Sequence, residues 1–218
     1  MEEFIQNTMV SLALNPLAVY AAICLFMLGS AFGIPIPEEV ILVSAGFVGH
    51  AALFPEVPHP PGSNVVNIHA LAAISFFAVL GADYLIYSIG KRFGPRLFER
   101  KWFQRMVPPE RVGKVQTWMQ KYGYWPVIVF RFTPGVRFPG HLVCGASGLS
   151  PWKFIGVDTL AALISVPTQI YFVGFYGKEI LSTFKTFKMY LFGALAIGLA
   201  LFIFKKVKEA KAAKSLSN

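Results

Sequence analysis

Charge is what this chain has little of. Only 14% of its 218 residues are Asp, Glu, Lys or Arg, against about a quarter in an ordinary soluble domain. That shortage excludes a fully solvated surface. The 55% hydrophobic content, with 21 Phe, exceeds what one soluble core of this length uses. Cysteine is scarce as well. Cys24 and Cys144 both lie in apolar runs without metal-ligand spacing, which excludes a disulfide framework and a thiolate metal centre. His50, His59, His69 and His141 show no metal spacing either, so neither a metal nor a cofactor is expected. The start, Met1-Glu2-Glu3, is acidic where a signal peptide is basic, and no small-residue cleavage site follows. The first apolar run is therefore expected to be retained.

What is present is a set of apolar runs edged by positive charge. The net charge is +9. Its basic residues flank hydrophobic segments, so nucleic acid is not expected as a partner, and the charge reads as orientation signal and headgroup contact. A spanning helix needs about 20 apolar residues. Residues 70–90 and 154–177 meet that length, and 189–204, somewhat shorter, is read as a further span. Residues 122–130 and 141–148 fall short of it, and Pro/Gly-rich backbone joins them. Irregular backbone at membrane depth survives only inside protein or along a wet cavity, so this pair reads as a re-entrant hairpin. Residues 17–54, broken at Pro35-Ile36-Pro37-Glu38-Glu39, read the same way with longer arms.

The expected architecture is an all-α polytopic membrane protein, one membrane domain over 1–218. A first half (15–90) carries a re-entrant hairpin at about 17–54, and a basic amphipathic segment follows at 91–121. The second half (122–177) has its hairpin at about 122–150, and a last transmembrane helix (188–204) leads to a basic tail (205–218). The halves are inverted-repeat-like, each a broken element, an arm and a span with a Tyr-x-x-Gly ending (Tyr87–Gly90, Tyr171–Gly174). Lys and Arg crowd 91–121 and the tail but are absent from 55–67, which places the basic segment and the C-terminus in the cytoplasm. Lys178, Lys185 and Lys188 are a weaker contrary signal. Whether the first arm crosses or turns back is open.

The chemistry should sit at the two breaks. Glu38 and Glu39 follow the first, between arms that hold no other charge. A carboxylate at that depth costs roughly 2.5–3.5 kcal/mol unless partnered or protonated. Arg131 and Arg137 bracket the second break, where a planar guanidinium can grip phosphate or carboxylate in two-pronged fashion. Asp83 lies in an apolar span and serves either as a structural partner for an arginine or as a proton relay. Asp158 is expected at the interface, and His141 adjoins the arginine break.

These residues resemble the DedA family, also called the VTT or SNARE-associated domain. The matching pieces are Pro35-Ile36-Pro37-Glu38-Glu39 with Ser44-Ala45-Gly46, then Gly81-Ala82-Asp83 with Tyr87-x-x-Gly90-Lys91-Arg92-Phe93-Gly94, and Arg131-Phe132-Thr133-Pro134-Gly135-Val136-Arg137. The likeness covers roughly 15–180. It implies two opposed re-entrant hairpins and a bacterial inner-membrane location. It also implies translocation of lipids such as undecaprenyl phosphate or phosphatidylethanolamine, with dependence on protons. The family's embedded glutamate maps onto Glu39 and its arginines onto Arg131 and Arg137. The acid that some members carry after the first break is missing from 44–54.

The expected activity is thus a lipid flippase or scramblase, not an enzyme. Its substrate site comprises Arg131, Arg137, Glu39, Glu38 and Asp83, and its partners are a phospholipid or polyprenyl-phosphate lipid and protons. Homo-oligomerisation is left open. The alternatives are a proton-coupled carrier of a small ion or osmolyte, an intramembrane lipid-modifying enzyme suggested by Arg137-Phe138-Pro139-Gly140-His141, and a lipid-organising scaffold.

Overall fold

The computed structural model of the chain describes residues 8, 10–32, 37–55, 62–101, 104, 108–133 and 136–180. The expected last span at 188–204 and the tail at 205–218 lie outside the described residues, as do 33–36 and 134–135 at the two breaks, and His59. Residues 1–175 form one compact unit and 176–218 another, of which only 176–180 are described. All packing below belongs to the first unit. Among the described residues the regular elements are all helical.

Helix α1 (Pro16–Ala31) opens on a proline, where the fixed φ and missing N–H suit the first helical position. It buries Val19, Ile23, Met27 and Ala31, a four-residue step that makes one stripe along the helix. Helix α2 (Glu38–Leu53) follows Pro37, whose extended backbone forms its N-cap. Glu38 and Glu39 fill its first turn, where negative charge meets the positive end of the helix dipole. These two helices are the arms expected over 17–54, and they pack on each other and on α3.

Helix α3 (Ile68–Phe98) has 31 residues and so is about 46 Å long. The Asn67 side chain caps it, its Oδ1 accepting from the His69 N–H at 2.8 Å and the Ala70 N–H at 3.1 Å. The span expected to stop at Gly90 continues to Phe98. Lys91 and Arg92 end the apolar stretch but are good helix formers, so leaving the oil does not end the helix.

Helix α4 (Pro109–Tyr122) lies in the basic segment. It buries Val112 and Val115 against α5 and α6 while exposing Lys114, Trp118 and Lys121. Gly123, at a φ of 65°, terminates it in the left-handed region that favours glycine. The short arm expected from residue 122 therefore starts later, because Tyr122 belongs to α4. Helix α5 (Pro126–Phe132) and helix α6 (Arg137–Ala146) are the two pieces flanking the second break. Helix α7 (Pro151–Ile180) completes the set.

Ile68–Gly94 and Pro151–Ile180 are each long and apolar enough to cross a membrane. Helix α7 exposes Trp152, Leu160, Leu163, Ile164, Phe172 and Phe175, an outward apolar surface that suits lipid tails better than water.

Two close approaches lock the helices together. A Cβ at Gly90 would fall on the Leu142 carbonyl, and one at Gly145 on the Tyr87 carbonyl and the Lys91 amide. The backbones of α3 and α6 therefore touch where both carry glycine. Tyr87 reinforces this crossing. Its ring is buried and stacks on Phe154 at 4.5 Å, and its hydroxyl donates to the Leu149 carbonyl. Tyr87→Phe should keep the packing and lose that one bond. It is expected to cost about 1 kcal/mol, read from thermal unfolding of the purified protein in detergent.

Candidate functional site: a buried ionic cluster

Helices α2, α3, α5, α6 and α7 each bring an ionisable side chain to one place. Glu38 is the first residue of α2, Asp83 lies midway along α3, and Arg131 is near the end of α5. Arg137 opens α6, His141 follows one turn later on the same face, and Asp158 is two turns into α7. The six side chains meet in the interior. Asp83 and His141 are both 0% exposed, Asp158 is 1% exposed and Arg131 6%.

Arg131 is the hub. Its Nη1 lies 2.8 Å from Asp83 Oδ2 and 2.8 Å from Asp158 Oδ1, so one nitrogen joins α3 to α7. Its Nε donates to Ser165 Oγ at 3.1 Å, and its Nη2 stands 3.5 Å from Glu38 Oε1. Arg137 pairs with Glu38 through Nη1 and with Asp83 Oδ1 through Nη2 at 2.6 Å. Asp83 Oδ1 also faces His141 Nδ1 at 3.0 Å. The far ring nitrogen of His141 points towards Asp158 Oδ1 at 3.9 Å. The Phe154 ring meets the imidazole edge-on at 5.1 Å.

The arrangement has the features of an anion clamp. Arg137 stands at the positive end of α6, a position that normally disfavours a cation and that here adds to the local pull on negative charge. The buried Arg137 Nε finds no hydrogen-bond partner among the described residues, and neither does Arg131 Nη2. Donors of this kind are costly to leave unmade. Glu38 and Arg137 are the members with some exposure, their side chains being 13% accessible for Arg137 and 9% for Glu38, so the cluster is least enclosed where these two meet. Asp83, His141 and Asp158 lie near enough together to invite a cation. The Arg131 guanidinium already fills that role between the two aspartates, and they are not assigned as metal ligands.

Of the residues expected at the site, Glu38, Asp83, Arg131 and Arg137 come together. Glu39 does not join them. It is exposed, and among the described residues no ion pair links it to either arginine. The helix starting at residue 38 turns the first acid of the doublet inward and the second outward. Asp158, expected at the interface, is instead buried in the cluster. Phe154, Asp158, Ala161 and Ala162 are all buried, and their helical spacing is the sequence signal that places Asp158 on an inward face. His141 is central rather than merely adjacent, and its position four residues after Arg137 is a same-face spacing on a helix.

Comparison with known proteins gives a consistent picture. The model of the VTT domain matches residues 34–175, a stretch that includes all six members of the cluster. The chain is 34% identical over 153 residues to an uncharacterized membrane protein of Haemophilus influenzae, covering 70% of this chain and 68% of that one. It is 32% identical over 132 residues to the uncharacterized membrane protein YbfM of Bacillus subtilis, covering 60% and 71%. An uncharacterized membrane protein of Mycobacterium tuberculosis is 31% identical over 143 residues, covering 64% and 58%. No solved structure matches the chain. With the domain model spanning most of the chain and its relatives named as membrane proteins, this protein belongs to the VTT-domain family of membrane proteins.

Proposed function

We propose that the protein is a lipid transporter, a flippase or scramblase that carries a phosphate-bearing headgroup through the ionic cluster. The single observation that supports this most is that Glu38, from one chain break, is ion-paired with both arginines of the other. Buried guanidiniums need counter-charge. Glu38 supplies part of it when the site is empty, and an anionic headgroup supplies it when the site is filled. Exchange of one for the other moves the headgroup without leaving either arginine bare. The lipid tails stay in hydrocarbon, so only the headgroup needs a polar route.

The reading extends to architecture and place. Two broken helix pairs in corresponding positions support two inverted-repeat-like halves, the arrangement in which transport sites lie near the midplane. A last span at 188–204, a cytoplasmic C-terminus and the bacterial inner membrane belong to the same proposal, which the Lys/Arg distribution and the bacterial relatives support.

The test is headgroup-specific translocation in vesicles containing the purified protein, using a fluorescent phospholipid and a short-chain polyprenyl phosphate in parallel. Arg137→Ala should slow movement at least about tenfold, the loss of one charge-assisted contact. Arg137→Lys should keep part of the activity, because the charge survives and the fork does not. Unchanged lipid movement in Arg137→Ala sinks the proposal. Flux of a soluble anion without lipid movement would transfer the site to the small-solute carrier.

A further inference from the structure

The cluster does not balance. Three carboxylates (Glu38, Asp83, Asp158) face two guanidiniums (Arg131, Arg137), which leaves one negative charge over if all five are ionised. An uncompensated charge in a protein interior is among the most expensive things a fold can contain. One group remains to cancel it. We infer that His141 is the proton-binding group of the site, held charged between Asp83 and Asp158 for as long as Glu38 or an anionic headgroup occupies the open side.

The geometry favours the ring over the carboxylates as the proton's home. Each acid already faces a guanidinium: Asp83 meets both arginines, Asp158 meets Arg131, and Glu38 meets both. Protonating one of them discards a charge-assisted contact. Protonating the imidazole discards no such contact. Its Nδ1 is 3.0 Å from Asp83, while its Nε2 is buried, has no hydrogen-bond partner among the described residues, and faces Asp158 at 3.9 Å. A neutral imidazole carries a proton on one nitrogen only, whereas the charged ring carries one on each and so presents positive charge to both aspartates. The ring also meets Phe154 edge-on, and it shares Asp83 with Arg131 and Arg137, whose positive charge opposes its own. Removing a charged ring from water costs free energy, and so does burying a spare carboxylate. A proton shared across this group removes both penalties by making them ion pairs.

A counting rule follows. Neutralise one acid, and the charges balance with a neutral imidazole, so the proton should leave. This rests on the proposed transport for its use, since the proton would then leave only while neither Glu38 nor a headgroup occupies the open side. It does not rest on transport for its test. The full-length protein, labelled with 15N-histidine and held in nanodiscs, reports the four histidines, and loss of one signal in His141→Gln assigns the ring.

In the wild type at pH 7, His141 is expected to carry protons on both nitrogens. Glu38→Gln should return it to a neutral tautomer at the same pH, and Asp158→Asn should do likewise. Ser165→Ala, which alters an uncharged partner of Arg131, should leave it charged. A neutral His141 in the wild type, or a ring that stays charged in Glu38→Gln, overturns the inference. A wild-type protein that moves no lipid removes the transport reading and leaves the ring's protonation to stand or fall on the spectra.

Discussion

Asp83→Ala is expected to be the most damaging single substitution in the described part of the chain. Asp83 touches Arg131, Arg137 and His141 from a fully buried position. Its removal leaves Arg137 with Glu38 alone and takes from Arg131 one of its two close acidic partners. Deleting one member of a buried ion pair typically costs about 3–5 kcal/mol, because the partner stays buried and unpaired. Here two cations are affected, so the upper end applies. The measurement is thermal unfolding in detergent, with the yield of monodisperse protein as a second readout. Asp83→Asn should be milder, since the amide keeps the volume and one accepting oxygen. An Asp83→Ala protein as stable as the wild type would mean that water reaches the cluster, and the proposed site would lose its physical basis.

The second large effect is expected at the glycine crossing of α3 and α6. Alanine at Gly145 places its methyl on the Tyr87 carbonyl, and alanine at Gly90 places it on the Leu142 carbonyl. Both obstacles are backbone, which cannot swing aside as a side chain can. Overpacking of this kind costs about 1–3 kcal/mol, and the two sites together should prevent α6 from seating. Gly81→Ala on the same helix α3 is the control. Nothing lies within 4 Å of its added methyl, and alanine favours the helix by up to about 1 kcal/mol, so Gly81→Ala should be neutral or stabilising. Equal losses at Gly81 and Gly145 would mean that the helices do not touch where the structure brings them together. Because α6 carries Arg137 and His141, a displaced α6 should also abolish lipid movement in vesicles.

The sequence announces its breaks more clearly than its contacts. Proline and glycine cannot continue a helix without cost, so both interruptions were visible, and the arms expected over 17–54 emerge as Pro16–Ala31 and Glu38–Leu53. The far end of α3 was less legible. Apolarity stops at Gly90 but helix propensity does not, and the two signals diverge at Lys91 and Arg92. The start of α5 is hard to read for a related reason, since Tyr122 is apolar enough to join the run that follows it while Gly123 assigns it to the helix before. At the site, residue type was informative and orientation was not. Acids and arginines at the breaks were identifiable by their cost in an oily medium. Which member of the Glu38-Glu39 doublet faces inward depends on the residue at which α2 begins, a matter of one position and 100° of helix rotation. From sequence alone Asp158 belongs at the interface, because its position lies near the start of an apolar run. Depth in a bundle depends on which face is covered, and the buried neighbours at helical spacing carry that information.

The seven-residue length of α5 has a consequence of its own. So short a helix is barely stable by itself in water, and it holds together here through buried Val127 and Phe130 and through the grip of Arg131 on α3 and α7. Local order and electrostatic occupancy are thus two readings of one equilibrium. Whatever engages the Arg131 guanidinium also tightens or loosens the amides of 126–132, so deuterium uptake in that short peptide becomes a gauge of ligand engagement that needs no transport assay.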